Sequence, residues 1–177
     1  TRLNEHQVDE MIAFAASAGL RYQLDATLTP RDDGDRAPLA YAASSEAVLR
    51  VLRKQAIART LGPVERRKGH ANCGLARITL AVDPEGNVYP CHQWRQRSLG
   101  NVRDVRLRDL WPASPARLAA TATEAASNDA ILERGGALST FDYCPALAFQ
   151  ETGDPLVPDA DVQRRAALAA RAFQESA

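Results

Sequence analysis

Cysteine is scarce in this chain, with three among 177 residues. The number is odd and far below the density of a small secreted domain stapled by disulfides, so a disulfide framework is excluded as the basis of the fold. Aromatic residues supply only 6% of the chain, which leaves Ala, Leu and Val to build the core. No window of about 18 apolar residues occurs, and no basic stretch precedes an apolar leader, so the sequence offers neither a membrane span nor an export signal. A cytoplasmic location is expected, and with it reduced thiols. Charge of one sign is missing too: 22 Lys and Arg balance 22 Asp and Glu, and nucleic acid is not implied as a partner. The short cluster Arg66-Arg67-Lys68 reads as a solvated loop, with phosphate contact as the rarer use. The one methionine is Met11 and the chain opens at Thr1, so further sequence is expected upstream.

What is present reads as α/β. Asn4 is placed to cap a helix carrying Val8, Met11, Ile12 and Ala15 at helical spacing, with Gly19 as its stop. The alternation of Tyr22, Leu24, Ala26 and Leu28 predicts a strand over 20–29, ended by Pro30. A polar loop over 31–36 follows, and Ser44 or Ser45 then caps a helix through Val48, Leu49, Val51 and Leu52 towards Arg59. Further on, Leu107, Leu110 and Trp111 form a helical turn closed by Pro112. Ser114, with Pro115 at the first helical position, caps a long helix that Gly135-Gly136 ends. An irregular stretch carries Cys144-Pro145, and a last helix begun by Asp159 or Asp161 runs through Val162, Ala166, Ala169 and Phe173.

The most informative stretch is CGLARITLAVDPEGNVYPC, from Cys73 to Cys91. Ile78, Leu80 and Val82 alternate as a first strand, Asp83-Pro84-Glu85-Gly86 is a turn, and 87–90 is a second strand. Asp opening the turn, Pro second and Gly fourth suit a type I turn followed by a left-handed residue. A hairpin brings its ends together, so Cys73 and Cys91 are expected side by side, as a pair of soft ligands or as a disulfide. A reducing compartment favours thiols and metal.

Several uncommon pieces occur in one order: Cys73, Gly86 and Cys91, then Gly100-Asn101-Val102, then Leu107-Arg108-Asp109-Leu110-Trp111, then Cys144-Pro145-Ala146 and Glu151-Thr152-Gly153-Asp154. Together they resemble the SPASM or twitch domain, the auxiliary iron-sulfur module at the C-terminus of many radical S-adenosylmethionine enzymes. The stretch before them resembles the last repeats of the partial (β/α) barrel that precedes such a module. The resemblance implies barrel end over 1–62 and a small α+β auxiliary domain over 63–177. It implies a [4Fe-4S] auxiliary cluster on Cys73, Cys91 and Cys144, and a peptide or protein as substrate.

Two departures bound what the resemblance carries. The radical-generating Cys-x3-Cys-x2-Cys motif is absent, so S-adenosylmethionine and a second [4Fe-4S] cluster are expected only with an upstream radical half. A full auxiliary domain supplies about seven cysteines for two clusters, whereas the further ligand positions here fall at Gly135, Leu138 and Ala148. Three thiolates leave one iron site open, since such clusters take four contacts. His70, His92, Asp142, a small molecule or substrate would complete it.

Other readings stand beside this one. His70, Cys73, Cys91 and His92 form a ligand set that suits tetrahedral zinc, although it leaves Cys144 unused. A cluster-free module binding a peptide through the hairpin edge is a non-catalytic alternative, and a redox-sensing thiol protein is a third. Trp111 reads as a core anchor, and Trp94 as a cover for the cluster or a wall of a substrate channel. His6 reads as a surface residue. Oligomeric state is not written in the residues.

Overall fold

A computed structural model of the chain describes all residues except 32, 59–61, 72 and 177, together with the side chain at 113. Arg59, where the second helix was expected to end, and position 32 of the polar loop therefore lie outside the described residues. The chain divides into two compact units, Thr1–Val64 with Ala160–Ala177, and Glu65–Asp159.

The first unit is helical. A 3-10 turn over Glu5–Gln7 leads into α1, Val8–Ser17. Asn4 does not cap it, because its Oδ1 accepts the Thr1 hydroxyl at 2.6 Å. Gly19 does stop it: at φ +64 it allows Leu20 N–H to reach Ala15 O at 2.8 Å and Gly19 N–H to reach Ala16 O at 3.2 Å, the paired bonds of a Schellman end. Ser44 caps α2, Ser45–Ile57, by accepting the Ala47 N–H at 3.2 Å. The final helix α7, Ala160–Glu175, packs on α2. Val162, Ala166, Ala169 and Ala172 face inward with Ala47, Val48 and Val51, and burying each valine is worth about 1.5–3 kcal/mol. The small alanines keep this contact close. Arg164 donates to Ser45 Oγ at 3.0 Å and Arg165 to Thr27 Oγ1 at 2.9 Å.

The strand expected over 20–29 does not form; residues 20–31 carry no regular secondary structure. A strand persists only when a neighbour satisfies its backbone groups, and the described residues of this unit hold no other strand. Instead the segment is tied by side chains, with Gln55 Nε2 donating to Leu24 O at 2.8 Å. No barrel repeat is thus seen among the described residues, which form helices and one small sheet.

That sheet belongs to the second unit and is antiparallel in the order β1, Ala81–Val82, β2, Asn87–Tyr89, and β3, Gly100–Asn101. Ala81 pairs with Tyr89 and Val82 with Val88. The turn is as expected: Gly86 N–H reaches Asp83 O and Asp83 N–H reaches Asn87 O, both at 3.0 Å, with Gly86 at φ +91. Strand one is shorter than its alternation suggested. Residues 75–78 instead form a turn, closed by Ile78 N–H on Gly74 O at 3.1 Å, which leaves Ile78 87% exposed.

Helices complete this unit. α3, Leu107–Ala113, runs one residue past Pro112. Ser114 then caps the 20-residue α4, Pro115–Arg134, by accepting the Arg117 N–H. Short α5, Gly136–Ser139, follows. The stretch after Cys144, expected to be irregular, is helix α6, Pro145–Thr152, because proline suits the first helical position and Gly153 at φ +78 closes the end.

A Cβ at Gly86 would stand 2.8 Å from Asn101 Oδ1. Gly86→Ala should therefore cost about 1–2 kcal/mol, read as a lower melting temperature by circular dichroism. Asp83 is held below its ordinary pKa chiefly by the Asn87 side chain, and also by Asn87 N–H and Tyr89 OH. Its contribution is complete above about pH 4 and lost as pH falls through the lower folded value. Asp83→Asn should flatten that acid limb in a pH titration of stability.

Candidate metal centre

Each of the three cysteines stands at a bend in the chain. Cys73 precedes the 75–78 turn, which uses left-handed backbone at Gly74, φ +73, and at Ala76, φ +58. Left-handed backbone at alanine costs about 1 kcal/mol. It is held there by Arg117 Nε donating to Ala76 O at 2.9 Å and by Ala76 N–H on Pro90 O at 3.4 Å. Leu75 and Ala76 are buried against Ala120 of α4, and Cys91 and Trp94 pack on that cluster.

Cys91 lies two residues past the end of β2 and opens a tight turn, with Trp94 N–H on Cys91 O at 3.2 Å. Gln150 of α6 donates to Gln93 O at 3.0 Å, and the rings of Trp94 and Phe149 lie 6.4 Å apart. Trp94 is therefore a packing residue between the Cys91 turn and α6. Cys144 occupies the N-cap position of that same helix.

Gln93 N–H donates to Cys91 Sγ at 3.2 Å. The Leu75 amide lies near enough to the Cys73 sulfur, and the Ala146 and Leu147 amides to that of Cys144, to favour the thiolate form of each. The thiols are free. Cys73 is exposed as a residue, yet desolvation by its surroundings pushes its thiol up, against the Leu75 amide, and Glu124, Cys144 and Cys91 push the same way. Burial likewise raises Cys144, with Cys91 and Asp142 adding to it. The sulfurs thus lie within electrostatic reach of one another. Among the described residues, no three His, Cys, Asp or Glu side chains stand at the spacing of a metal site.

In chemistry, though not in spacing, the donor set fits a thiophilic centre. Three soft sulfurs suit iron or zinc rather than a hard cation, and a hydrogen bond to sulfur such as that on Cys91 is a recurrent feature of iron-sulfur sites. His70 and His92 are both exposed; His92 O accepts from Arg95 Nε at 3.1 Å. Asp142 is also exposed, and its charge acts on Cys144 and Arg66. Of the further ligand positions, Gly135 and Leu138 hold the end of α4 and the α5 turn, while Ala148 is fully buried in α6.

Two residues of the centre escape the sequence reading. Glu124 is 3% exposed, and its Oε1 accepts the Cys73 N–H at 3.0 Å. Arg66, read as part of a solvated cluster, is half-buried: it donates to Asn128 Oδ1 at 2.9 Å and to Phe141 O at 2.6 Å. Arg67 and Lys68 are exposed as expected. The available signal was the spacing of Ala120, Glu124, Ser127, Asn128 and Ile131 on α4, which puts polar groups on the inward face.

Residues 73–131 match the SPASM family, an iron-sulfur cluster-binding domain. That span holds Cys73, Cys91 and Glu124, whereas Cys144 lies beyond it. Over 117 residues the chain is 38% identical to the PqqA peptide cyclase of Methylocella silvestris, in a match covering 59% of this chain and 30% of that protein. No solved structure matches the chain significantly. The similarity to SPASM-domain radical S-adenosylmethionine proteins, read first from the order of motifs, is upheld by these matches.

Replacing Glu124 with Gln keeps an acceptor for the Cys73 amide and removes a negative charge. In the metal-free protein Glu124→Gln should move the Cys73 thiol to a lower pKa, so that its alkylation by iodoacetamide begins at lower pH than in the parent. An unchanged pH profile would contradict the placement of Glu124 beside the sulfur.

Proposed function

We propose that this chain is the auxiliary-cluster portion of a radical S-adenosylmethionine protein that modifies a peptide, with Cys73, Cys91 and Cys144 as ligands of one [4Fe-4S] cluster. On this reading the chain from 63 onward carries the auxiliary domain, and residues 1–62, expected as the end of a partial barrel, supply helices before it. The observation that carries the proposal is the set of three free thiols within electrostatic reach of one another, each with a backbone amide near enough to favour its thiolate or, at Cys91, to donate to it. Its support from relatives is the iron-sulfur family match and the likeness to a peptide cyclase.

A bound cluster would supply an electron acceptor or an iron site for substrate. The chain's own residues supply the surroundings. Amides at 75, 93, 146 and 147 favour the thiolate form, because an N–H to an anionic sulfur is a charge-assisted bond. Leu75, Trp94 and Phe149 keep water from one side. Cleavage of S-adenosylmethionine requires the three-cysteine motif, which these 177 residues lack, so that step belongs to an upstream radical half. A peptide substrate is favoured by the printed activity of the relative.

The second reading is a zinc-bearing or metal-free peptide-binding module. It is favoured by the exposed β1 edge, where Leu80 is 43% and Val82 46% exposed. Metal analysis separates the two. Anaerobic reconstitution should give about four irons and four sulfides per chain with a broad visible charge-transfer band. Cys91→Ala should lose both and lower the melting temperature of the loaded protein, since ligation energy is also folding energy. Zinc alone, or no metal on a folded protein, would refute the cluster assignment.

A further inference from the structure

The segment carrying Cys73 and the segment carrying Cys144 are far apart in sequence, yet both are attached to one face of α4. Glu124 takes the Cys73 N–H at 3.0 Å. One turn on, Asn128 takes Arg66 Nη1 at 2.9 Å through Oδ1 and gives Nδ2 to Arg67 O at 2.9 Å. Beside it, Asp129 takes the Gly69 N–H at 2.7 Å. This polar ladder holds residues 66–73 along the helix. Arg66 then reaches across, and its Nη2 donates at 2.6 Å to Phe141 O, three residues before Cys144. A single guanidinium thus spans the helix and the two cysteine-bearing segments.

Its chemistry suits the place. The planar fork holds two acceptors in one rigid geometry, whereas a lysine ammonium is a compact charge with freely rotating donors. Arginine also stays charged when buried, and Cys73, Glu124 and Asp142 are near enough to act on that charge. Of its other donors, Nε is buried and has no hydrogen-bond partner among the described residues. A buried unpaired N–H in a folded protein is rare and calls for an explanation. Here the positive charge stands beside a sulfur, Cys73, that becomes anionic on losing its proton.

We propose that Arg66 is the positioning residue of the cysteine centre: its fork holds the Cys73 and Cys144 segments in register on α4, and its fixed charge offsets that of the thiolate-bound centre. The charge half of this inference rests on the cluster reading above, whereas the positioning half does not. With a cation removed from beside an iron-sulfur centre, addition of an electron becomes harder and the midpoint potential falls.

The test compares the parent, Arg66→Gln and Arg66→Lys. Circular dichroism melts establish that each is folded. In the metal-free Cys91→Ser background, o-phenylenedimaleimide reports on the Cys73–Cys144 pair. Both Arg66 variants should cross-link about fivefold less than the parent, the equivalent of one lost hydrogen bond. After anaerobic reconstitution of proteins with all three cysteines, Arg66→Gln should shift the reduced-to-oxidised ratio about tenfold, a fall of 59 mV for one electron. Arg66→Lys, which keeps the charge, should restore the potential towards that of the parent while still cross-linking poorly. Folded variants that cross-link like the parent would overturn the proposal, as would loss of fold in both variants, which would make Arg66 a folding residue only. A parent that cross-links but takes up no iron would refute the cluster assignment and leave the positioning role standing.

Discussion

The second unit depends on the polar inward face of α4. A helix that turned only Ala120 and Ile131 inward could pack, but it could not fix where an irregular segment runs across it. Glu124, Ser127, Asn128 and Asp129 do that by taking or giving backbone hydrogen bonds to residues 67, 69, 73 and 155. Buried polar groups are costly unless fully partnered, so their presence on this face restricts the loops to the few paths that partner them. Loose segments with little secondary structure are thereby given defined positions, and the cysteines ride on those segments.

Local backbone geometry then finishes what α4 begins. The bends at Gly74 and Ala76, the turn after Cys91 and the first turn of α6 each bring an amide near a sulfur. None of these needs a side chain; the backbone supplies the amide. The cost is visible at Ala76, where a left-handed alanine is held in place by Arg117 and by the Pro90 carbonyl. Arg117 also lies 4.9 Å over the Trp111 ring, so α3, α4 and the Cys73 bend share one cation.

Much of this was legible in the residues. The turn at Asp83–Gly86 was, because only a few residue types satisfy its dihedrals, and so were the Ser44 and Ser114 caps and the Gly19 stop. The order of motifs pointed to the family. What was not legible depended on partners distant in sequence. The alternation over 20–29 has strand chemistry, but no neighbouring strand lies among the described residues of its unit. Ile78 continues an alternating run and yet belongs to a turn that Gly74 makes possible. Glu124 and Arg66 look like ordinary surface charges until α4 and the 66–73 segment are seen together, since a charge pattern carries no record of which helix face is covered.

The pairing of α2 with α7 has a consequence for how the chain is made. The first unit is discontinuous: its two ends enclose the whole of Glu65–Asp159. Closing a flexible loop of that length carries an entropic cost of about 4 kcal/mol in its length-dependent part, and contacts so far apart in sequence form slowly. Folding of the enclosed segment beforehand shortens the loop that must be closed. During synthesis, residues 65–159 all emerge before α7 does. Residues 65–159 are therefore free to fold while the first unit still waits for its last helix.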